Sequence, residues 1–136
     1  MTAHRFIAAG IGCRAGCPGA EIAGMLRAAF EEAALDEAAR RAVQLAAPMH
    51  KRNEAGVAEA ARLLALPLRF VDDSALAAVQ DRVRTRSARV EAAVGVASVA
   101  EAAALAAAGP GSTLLLPRRS TPSATCALAI SGEVSA

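Results

Sequence analysis

Aromatic residues are almost absent from this sequence of 136 residues, which has three Phe and neither Trp nor Tyr. Proteins that bind single-stranded nucleic acid stack the bases on aromatic side chains. Proteins that bind duplexes through phosphate carry far more positive charge than the formal +2 found here. We therefore expect no nucleic-acid partner.

Cysteine and histidine are too few, and too irregularly spaced, for a metal centre or a disulfide framework. The three cysteines are Cys13, Cys17 and Cys126, and the two histidines add no metal-ligand spacing. We expect no metal and no cofactor, and the odd number of thiols favours a reducing compartment. The sequence therefore predicts a cytoplasmic protein.

Long apolar runs are also missing. Residues 102–117 carry no charge, but Gly109, Pro110 and Gly111 interrupt them, so they cannot span a bilayer as one helix. Near the N-terminus, the apolar run over residues 6–13 is too short for the core of a signal peptide. We expect no membrane contact.

Alanine is abundant, with 38 residues, and 54% of the chain is apolar, which excludes intrinsic disorder. The core must therefore contain closely packed, alanine-rich helices. Among 15 basic residues, Lys51 is the only lysine. This makes Lys51 a candidate for a role that arginine does not serve.

Short apolar runs alternate with segments of helical periodicity, a pattern typical of α/β proteins. We predict one three-layer α/β/α domain over residues 1–131, with a small, mostly parallel sheet of about five strands. The last strand is antiparallel, because the joint before it is short enough for a hairpin. Residues 132–136 form a frayed tail. The predicted strands are 5–11, 42–46, 68–71, 113–116 and 124–130, and the predicted helices begin near residues 18, 53, 72 and 98.

The clearest local signal is a capping box at Ser98-Val99-Ala100-Glu101. In this motif the serine hydroxyl and the glutamate carboxylate each accept a backbone N–H that the first helical turn leaves free. It predicts an alanine-rich helix that ends at Ala108, before Gly109.

A glycine-rich turn follows the first strand, with Gly10, Gly12 and Gly16 in the pattern GxGxxxG. Three interpretations remain open: a dinucleotide site, a plain tight turn, and a turn that binds a carboxylate or phosphate at a helix N-terminus. Its spacing is one residue longer than the dinucleotide fingerprint. Cys13 lies in this turn beside Arg14, and we interpret it as a small structural residue rather than an activated nucleophile.

Lys51 follows the second predicted strand, where ligands of open α/β sheets bind. It is therefore predicted to lie near the glycine turn, the alternative being a solvated loop. Gly95 to Ser98 would direct another helix N-terminus to the same place. The arginines of residues 82–89 are interpreted as a solvated loop.

Four segments, taken together, resemble the C-terminal domain of the cobalamin-biosynthesis CobE/CbiG family. They cover nearly the whole chain in the right order. The segments are Gly10-Ile11-Gly12-Cys13-Arg14 with the helix behind it; Lys51-x-x-Glu54-x-Gly56, leading to Leu66-Pro67-Leu68; Gly95-Val96-x-Ser98-Val99-Ala100-Glu101-Ala102-Ala103; and Leu116-Pro117-Arg118, running to Thr125-Cys126-Ala127-Leu128-Ala129.

The resemblance implies a role in building the corrin ring of vitamin B12, with a corrinoid or precorrin as ligand and contact with other enzymes of that pathway. Full-length relatives open the δ-lactone of cobalt-precorrin-5A and release acetaldehyde. This chain resembles only their C-terminal domain, so the alternatives are a non-catalytic corrinoid carrier, a partner subunit, and a generic anion- or nucleotide-binding module. The predicted ligand-binding residues are Gly10, Gly12, Cys13, Arg14, Lys51, Glu54, Gly95, Ser98, Val99 and Arg118.

Overall fold

The computed structural model describes residues 5–84 and 98–132, and its strands form one mixed sheet of order β3-β2-β1-β5-β4. The first three strands are mutually parallel, whereas β5 is antiparallel to both of its neighbours. The predicted mostly parallel sheet with an antiparallel last strand is therefore confirmed. The strands are β1 (Ile7–Cys13), β2 (Gln44–Pro48), β3 (Leu68–Val71), β4 (Thr113–Ser120) and β5 (Ala124–Ile130).

Helices cover both faces of the sheet, as predicted. One face packs against α1 and α3, and the other against α4 and α5. Two short 3₁₀ turns, Met49–Lys51 and Gln80–Arg82, follow β2 and α4. The helices are α1 (Gly19–Glu32), α2 (Glu37–Arg41), α3 (Ala55–Leu64), α4 (Asp73–Ala78) and α5 (Val99–Ala108).

The backbone of the alanine-rich helix α5 lies directly against β1. A Cβ atom added to Gly10 would stand 1.9 Å from the carbonyl oxygen of Ala100 and 2.7 Å from the nitrogen of Ala104. Only glycine in β1 permits this approach, because any side chain would collide with the helix backbone. Gly10 therefore fixes the height of α5 above β1.

Two strand ends differ from the sequence prediction. β1 continues through Gly12 to Cys13, so both residues belong to the strand and not to the turn after it. β4 does not end at Leu116 but runs through Pro117 to Ser120. It tolerates proline because it is an edge strand and pairs only with β5. Two bulges, each inserting one extra residue in β4, interrupt that pairing.

The short helix α2 was not predicted, and β2 lies two residues later than expected. Asp36 caps α2, because its Oδ1 accepts the N–H of Ala39 at 2.8 Å. The helix also has an ion pair between Glu37 and Arg41. It buries no residue, so it lacks the apolar periodicity by which sequence analysis finds helices.

The serine half of the predicted cap of α5 is confirmed, because the Ser98 hydroxyl accepts the N–H of Glu101 at 3.3 Å. The Glu101 carboxylate accepts the backbone N–H groups of Arg84 at 2.7 Å and Arg118 at 2.9 Å. Glu101 thus joins three segments of the chain.

Several predictions concern residues outside the described ranges. They are Gly95, the arginines Arg86 and Arg89 of the arginine-rich stretch, and residues 133–136 of the predicted tail. Among the described helices, none has the length and apolar character needed to cross a bilayer, and α1 has only 14 residues.

Candidate functional site: a cleft at the carboxyl end of the sheet

A cleft of about 480 Å³ lies where β1 ends beside the loop between β4 and β5. This is the carboxyl end of the sheet, meaning the end at which β1, β2 and β3 finish. Ligands of open α/β sheets bind at this end. The cleft is lined by Gly12, Cys13 and Arg14 and by residues 121–125.

Glu21, in the first turn of α1, holds the loop that forms one wall of the cleft. Its Oε2 accepts the hydroxyl of Thr121 at 2.5 Å and the N–H of Ser123 at 3.0 Å. The N–H of Arg14 in turn donates to the carbonyl of Ser123 at 2.8 Å. Glu21 was not predicted as a site residue, because its partners lie about a hundred positions away and leave no local signal.

Cys13 is half-buried at the end of β1. Burial raises its pKa above the ordinary value; the Lys51 ammonium lowers it in part, and the Glu54 carboxylate raises it further. The side chain is therefore a thiol at neutral pH, which agrees with the structural interpretation of Cys13.

The segment after β2 meets the glycine turn, as the sequence predicted. Lys51 ends the 3₁₀ turn that follows β2, and the Glu54 Oε2 accepts the N–H of Gly16 at 3.0 Å. Gly16 has φ +79°, a conformation that favours glycine. A Cβ on Gly56 would stand 2.0 Å from the carbonyl oxygen of Cys17, so the first turn of α3 packs directly on the turn.

The N-terminus of α5 also reaches this end of the sheet. A Cβ on Gly12 would stand 4.0 Å from the Val99 side chain and 2.6 Å from the Thr125 hydroxyl. Ser98 is 1% exposed, and its hydroxyl is engaged by the N–H of Glu101. Ser98 and Val99 therefore hold α5 in place beside the cleft.

Arg118 lies apart from the cleft lining. It is half-buried in β4, two strands from β1, and its N–H is bound to Glu101 at the first turn of α5. The predicted set thus falls into three parts. Gly12, Cys13 and Arg14 line the cleft, with Lys51 and Glu54 in the segment that meets the glycine turn; Gly10, Ser98 and Val99 pack α5 against the sheet; and Arg118 joins β4 to the first turn of α5.

Two cations near the cleft are available to a ligand. Within residues 5–84 and 98–132, no ion pair or side-chain hydrogen bond engages Arg14 or Lys51. Their charges suit carboxylates, which guanidinium and ammonium groups bind through charge-assisted hydrogen bonds. The same ranges contain no group of three His, Cys, Asp or Glu residues placed to hold a metal ion.

These features define a three-layer α/β domain in which helix N-termini and unpaired cations meet at the carboxyl end of the sheet. The family comparison specifies this class further, because the model of the family "Cobalamin synthesis G C-terminus" matches residues 7–129. The chain therefore belongs to this family of cobalamin biosynthesis proteins, as its four motifs indicated.

Solved structures agree with this assignment. CobE, a protein from the cobalamin biosynthetic pathway, is 34% identical with a TM-score of 0.84, over 96% of this chain and 94% of that one. The cobalamin biosynthesis protein ChiG from Agrobacterium tumefaciens is 38% identical with a TM-score of 0.71, over 92% of this chain and 98% of that one.

A third structure shares the fold. It comes from Sulfolobus solfataricus and is described as a cobalamin biosynthesis protein G homologue. It is 24% identical with a TM-score of 0.63, and the match covers 92% of this chain but only 36% of the longer one. Comparison with the curated proteins gave no match.

Proposed function

We propose that this chain binds a corrinoid intermediate of cobalamin biosynthesis through the carboxylates on the rim of the ring. Corrin intermediates are flat and largely apolar, with acetate and propionate groups around the perimeter. A protein that binds them needs cations at the mouth of an apolar cleft. Membership of a cobalamin biosynthesis family supports this ligand class.

The observation that carries the proposal is the position of Arg14 and Lys51 at the same end of the sheet. Arg14 lines the cleft, and Lys51 lies in the segment after β2 that a hydrogen bond from Gly16 to Glu54 joins to the glycine turn. Neither cation has an acidic partner among the described residues. Unpaired cations beside a concave surface are available to an anionic ligand.

The cleft suits part of a corrin. Its volume of about 480 Å³ lies within the usual range for ligand pockets. A whole macrocycle with its side chains is larger, so one edge of the ring would enter. Cys13, Pro122 and Ala124 would contact the ring, while Arg14 and Lys51 would bind its carboxylates.

The states of Cys13 and Glu54 favour binding over bond cleavage. Cys13 is protonated at neutral pH, and the Glu54 carboxylate is engaged by the N–H of Gly16. Neither group is therefore activated as a nucleophile or general base for opening a lactone. In this proposal, the chain presents the corrinoid to another enzyme of the pathway, which performs the chemistry.

Titration with hydrogenobyrinic acid, followed by its absorption spectrum, tests the proposal. Lys51→Ala should lower the affinity about tenfold or more, since a charge-assisted hydrogen bond contributes roughly 1.5–3 kcal/mol. Lys51→Arg should restore part of the loss, because the guanidinium is broader and directed differently. The matched control is Arg62→Ala, which removes the same charge from an exposed site in the last turn of α3 and should leave the affinity unchanged.

A second ligand identifies the groups that are recognised. Cobinamide keeps the corrin ring but has amides in place of the free carboxylates, so it should bind much more weakly, and its binding should depend less on salt. Equal affinity for both ligands, or for the parent and Lys51→Ala, would contradict the proposal. Acetaldehyde released from cobalt-precorrin-5A by the chain alone would contradict its non-catalytic part.

A further inference from the structure

Glu101 is a fully enclosed acid, 0% exposed, in the first turn of α5. Burying a carboxylate is unfavourable unless hydrogen bonds compensate for the lost water. One oxygen accepts the N–H of Arg84 at 2.7 Å and the other accepts the N–H of Arg118 at 2.9 Å. We call this arrangement the Glu101 bridge.

The Glu101 bridge brings together two arginines that are distant in sequence. Arg84 follows the 3₁₀ turn Gln80–Arg82, whereas Arg118 lies in the second bulge of β4. Their backbone N–H groups donate to the two oxygens of one carboxylate, so the two backbone segments lie close together. Two long side chains that start this close together can reach a single anion.

The side chains of the neighbouring arginines bind other residues, whereas those of Arg84 and Arg118 have no partner among the described residues. The Arg82 guanidinium donates to the carbonyl of Ser112 at 2.6 Å, and Arg119 forms an ion pair with Glu32. The guanidinium groups of Arg84 and Arg118 have neither an ion pair nor a hydrogen bond within the described ranges. Arg84 is also exposed.

We propose that Arg84 and Arg118 form a second carboxylate-binding site, the arginine clamp, and that Glu101 is its positioning residue. This inference rests on the proposed function and names a further contact for the same ligand. Carboxylates suit such a pair because each guanidinium presents a planar fork of donors.

The position of the clamp suits a broad ligand. Lys51 follows β2 and Arg118 lies in β4, and these strands are three strand spacings apart, ~14 Å. A ring that carries several carboxylates around its rim could contact both cationic groups at once.

Arg84→Ala and Arg118→Ala test the clamp directly. Both variants keep the backbone N–H that donates to Glu101, so stability to urea should change little. Each should weaken hydrogenobyrinic acid binding about fivefold to tenfold, while Arg62→Ala leaves it unchanged. Parent-like affinity in both arginine variants would overturn the inference.

Glu101→Gln tests the positioning role, because an amide has only one oxygen to accept the two N–H groups. It should weaken binding in the parent background but cause no further loss in the Arg84→Ala/Arg118→Ala double variant. Equal losses in both backgrounds would show that Glu101 serves stability alone. If Glu101→Gln does not fold, the two arginine variants still decide the clamp.

A separate probe distinguishes failure of the clamp from failure of the proposed function. If the parent does not bind hydrogenobyrinic acid, the proposed function is overturned, and the clamp is tested with citrate. NMR of the arginine Nε–H groups should then show joint shifts of Arg84 and Arg118, with none at Arg62. No shift at Arg84 and Arg118 would overturn the clamp as well.

Discussion

Replacing Gly10 with alanine should destabilise the protein strongly. The new Cβ would stand 1.9 Å from the carbonyl oxygen of Ala100, whereas real Cβ contacts stay beyond 3.0 Å. Helix α5 must therefore retreat by at least about 1.1 Å, or β1 must deform. The obstructing atoms belong to the helix backbone, so no change of rotamer relieves the clash.

The size of the effect follows from what α5 contacts. Extra atoms in a well-packed core cost roughly 1–3 kcal/mol and occasionally more. Here the displaced element is a whole helix that also packs on β2 and β5. We expect a loss of about 3 kcal/mol or more, a large fraction of the roughly 5–15 kcal/mol that stabilises a typical domain.

Urea unfolding provides the assay, and Gly24→Ala provides the control. Gly24 is exposed within α1, and a Cβ there meets nothing within 4 Å. Alanine should stabilise that position by about 0.5–1 kcal/mol, because glycine loses more freedom in a helix. The same substitution should therefore act with opposite signs at the two sites. A free energy of unfolding for Gly10→Ala within about 0.5 kcal/mol of the parent would refute this reasoning.

Three further predictions concern single side chains. Ser98→Ala should lower the free energy of unfolding by about 1 kcal/mol in urea, because the Glu101 N–H loses its acceptor; an unchanged value would contradict the cap. Cys13→Ser should keep most corrinoid binding, and the Cys13 thiol should alkylate slowly at pH 7 because burial raises its pKa; rapid alkylation that abolishes binding would show a functional thiol. The hydrogen bond from Arg119 lowers the pKa of Glu32, so this pair stabilises the fold above the usual glutamate pKa, and the contribution disappears as pH falls through the lowered value. NMR titration should show the pKa of Glu32 rising in Arg119→Gln; an unchanged pKa would refute the pairing.

The elements that sequence analysis located best carry their own local signals. Helix α5 begins and ends where Ser98 and Gly109 indicated, and Asp72 caps α4 as expected, with its Oδ1 accepting the N–H of Ala75 at 2.8 Å. The strands β3 and β5 also have their predicted bounds. In the two helices the determining contacts lie within a few residues, and the two strands coincide with apolar runs bounded by turn residues.

The parts that were missed depend on contacts between distant segments. The bridge from Glu101 to Arg84 and Arg118 spans 17 positions in each direction, and the bond from Ser123 to Glu21 spans 102. The extension of β4 beyond Leu116 likewise depends on its pairing with β5. Periodicity and spacing placed Lys51 and the glycine turn at the same end of the sheet, but they could not show which other side chains organise that end.

The irregular outer strands also limit how this protein can associate with others. An unpaired strand normally offers a row of backbone donors and acceptors on which a second chain can add. Here β3 has only four residues and an exposed Arg69, while β4 has two bulges and Pro117. A foreign strand would find no long, regular ladder on either side of the described sheet. Aggregation by sheet extension is therefore disfavoured, and another protein would have to recognise side chains rather than add a strand.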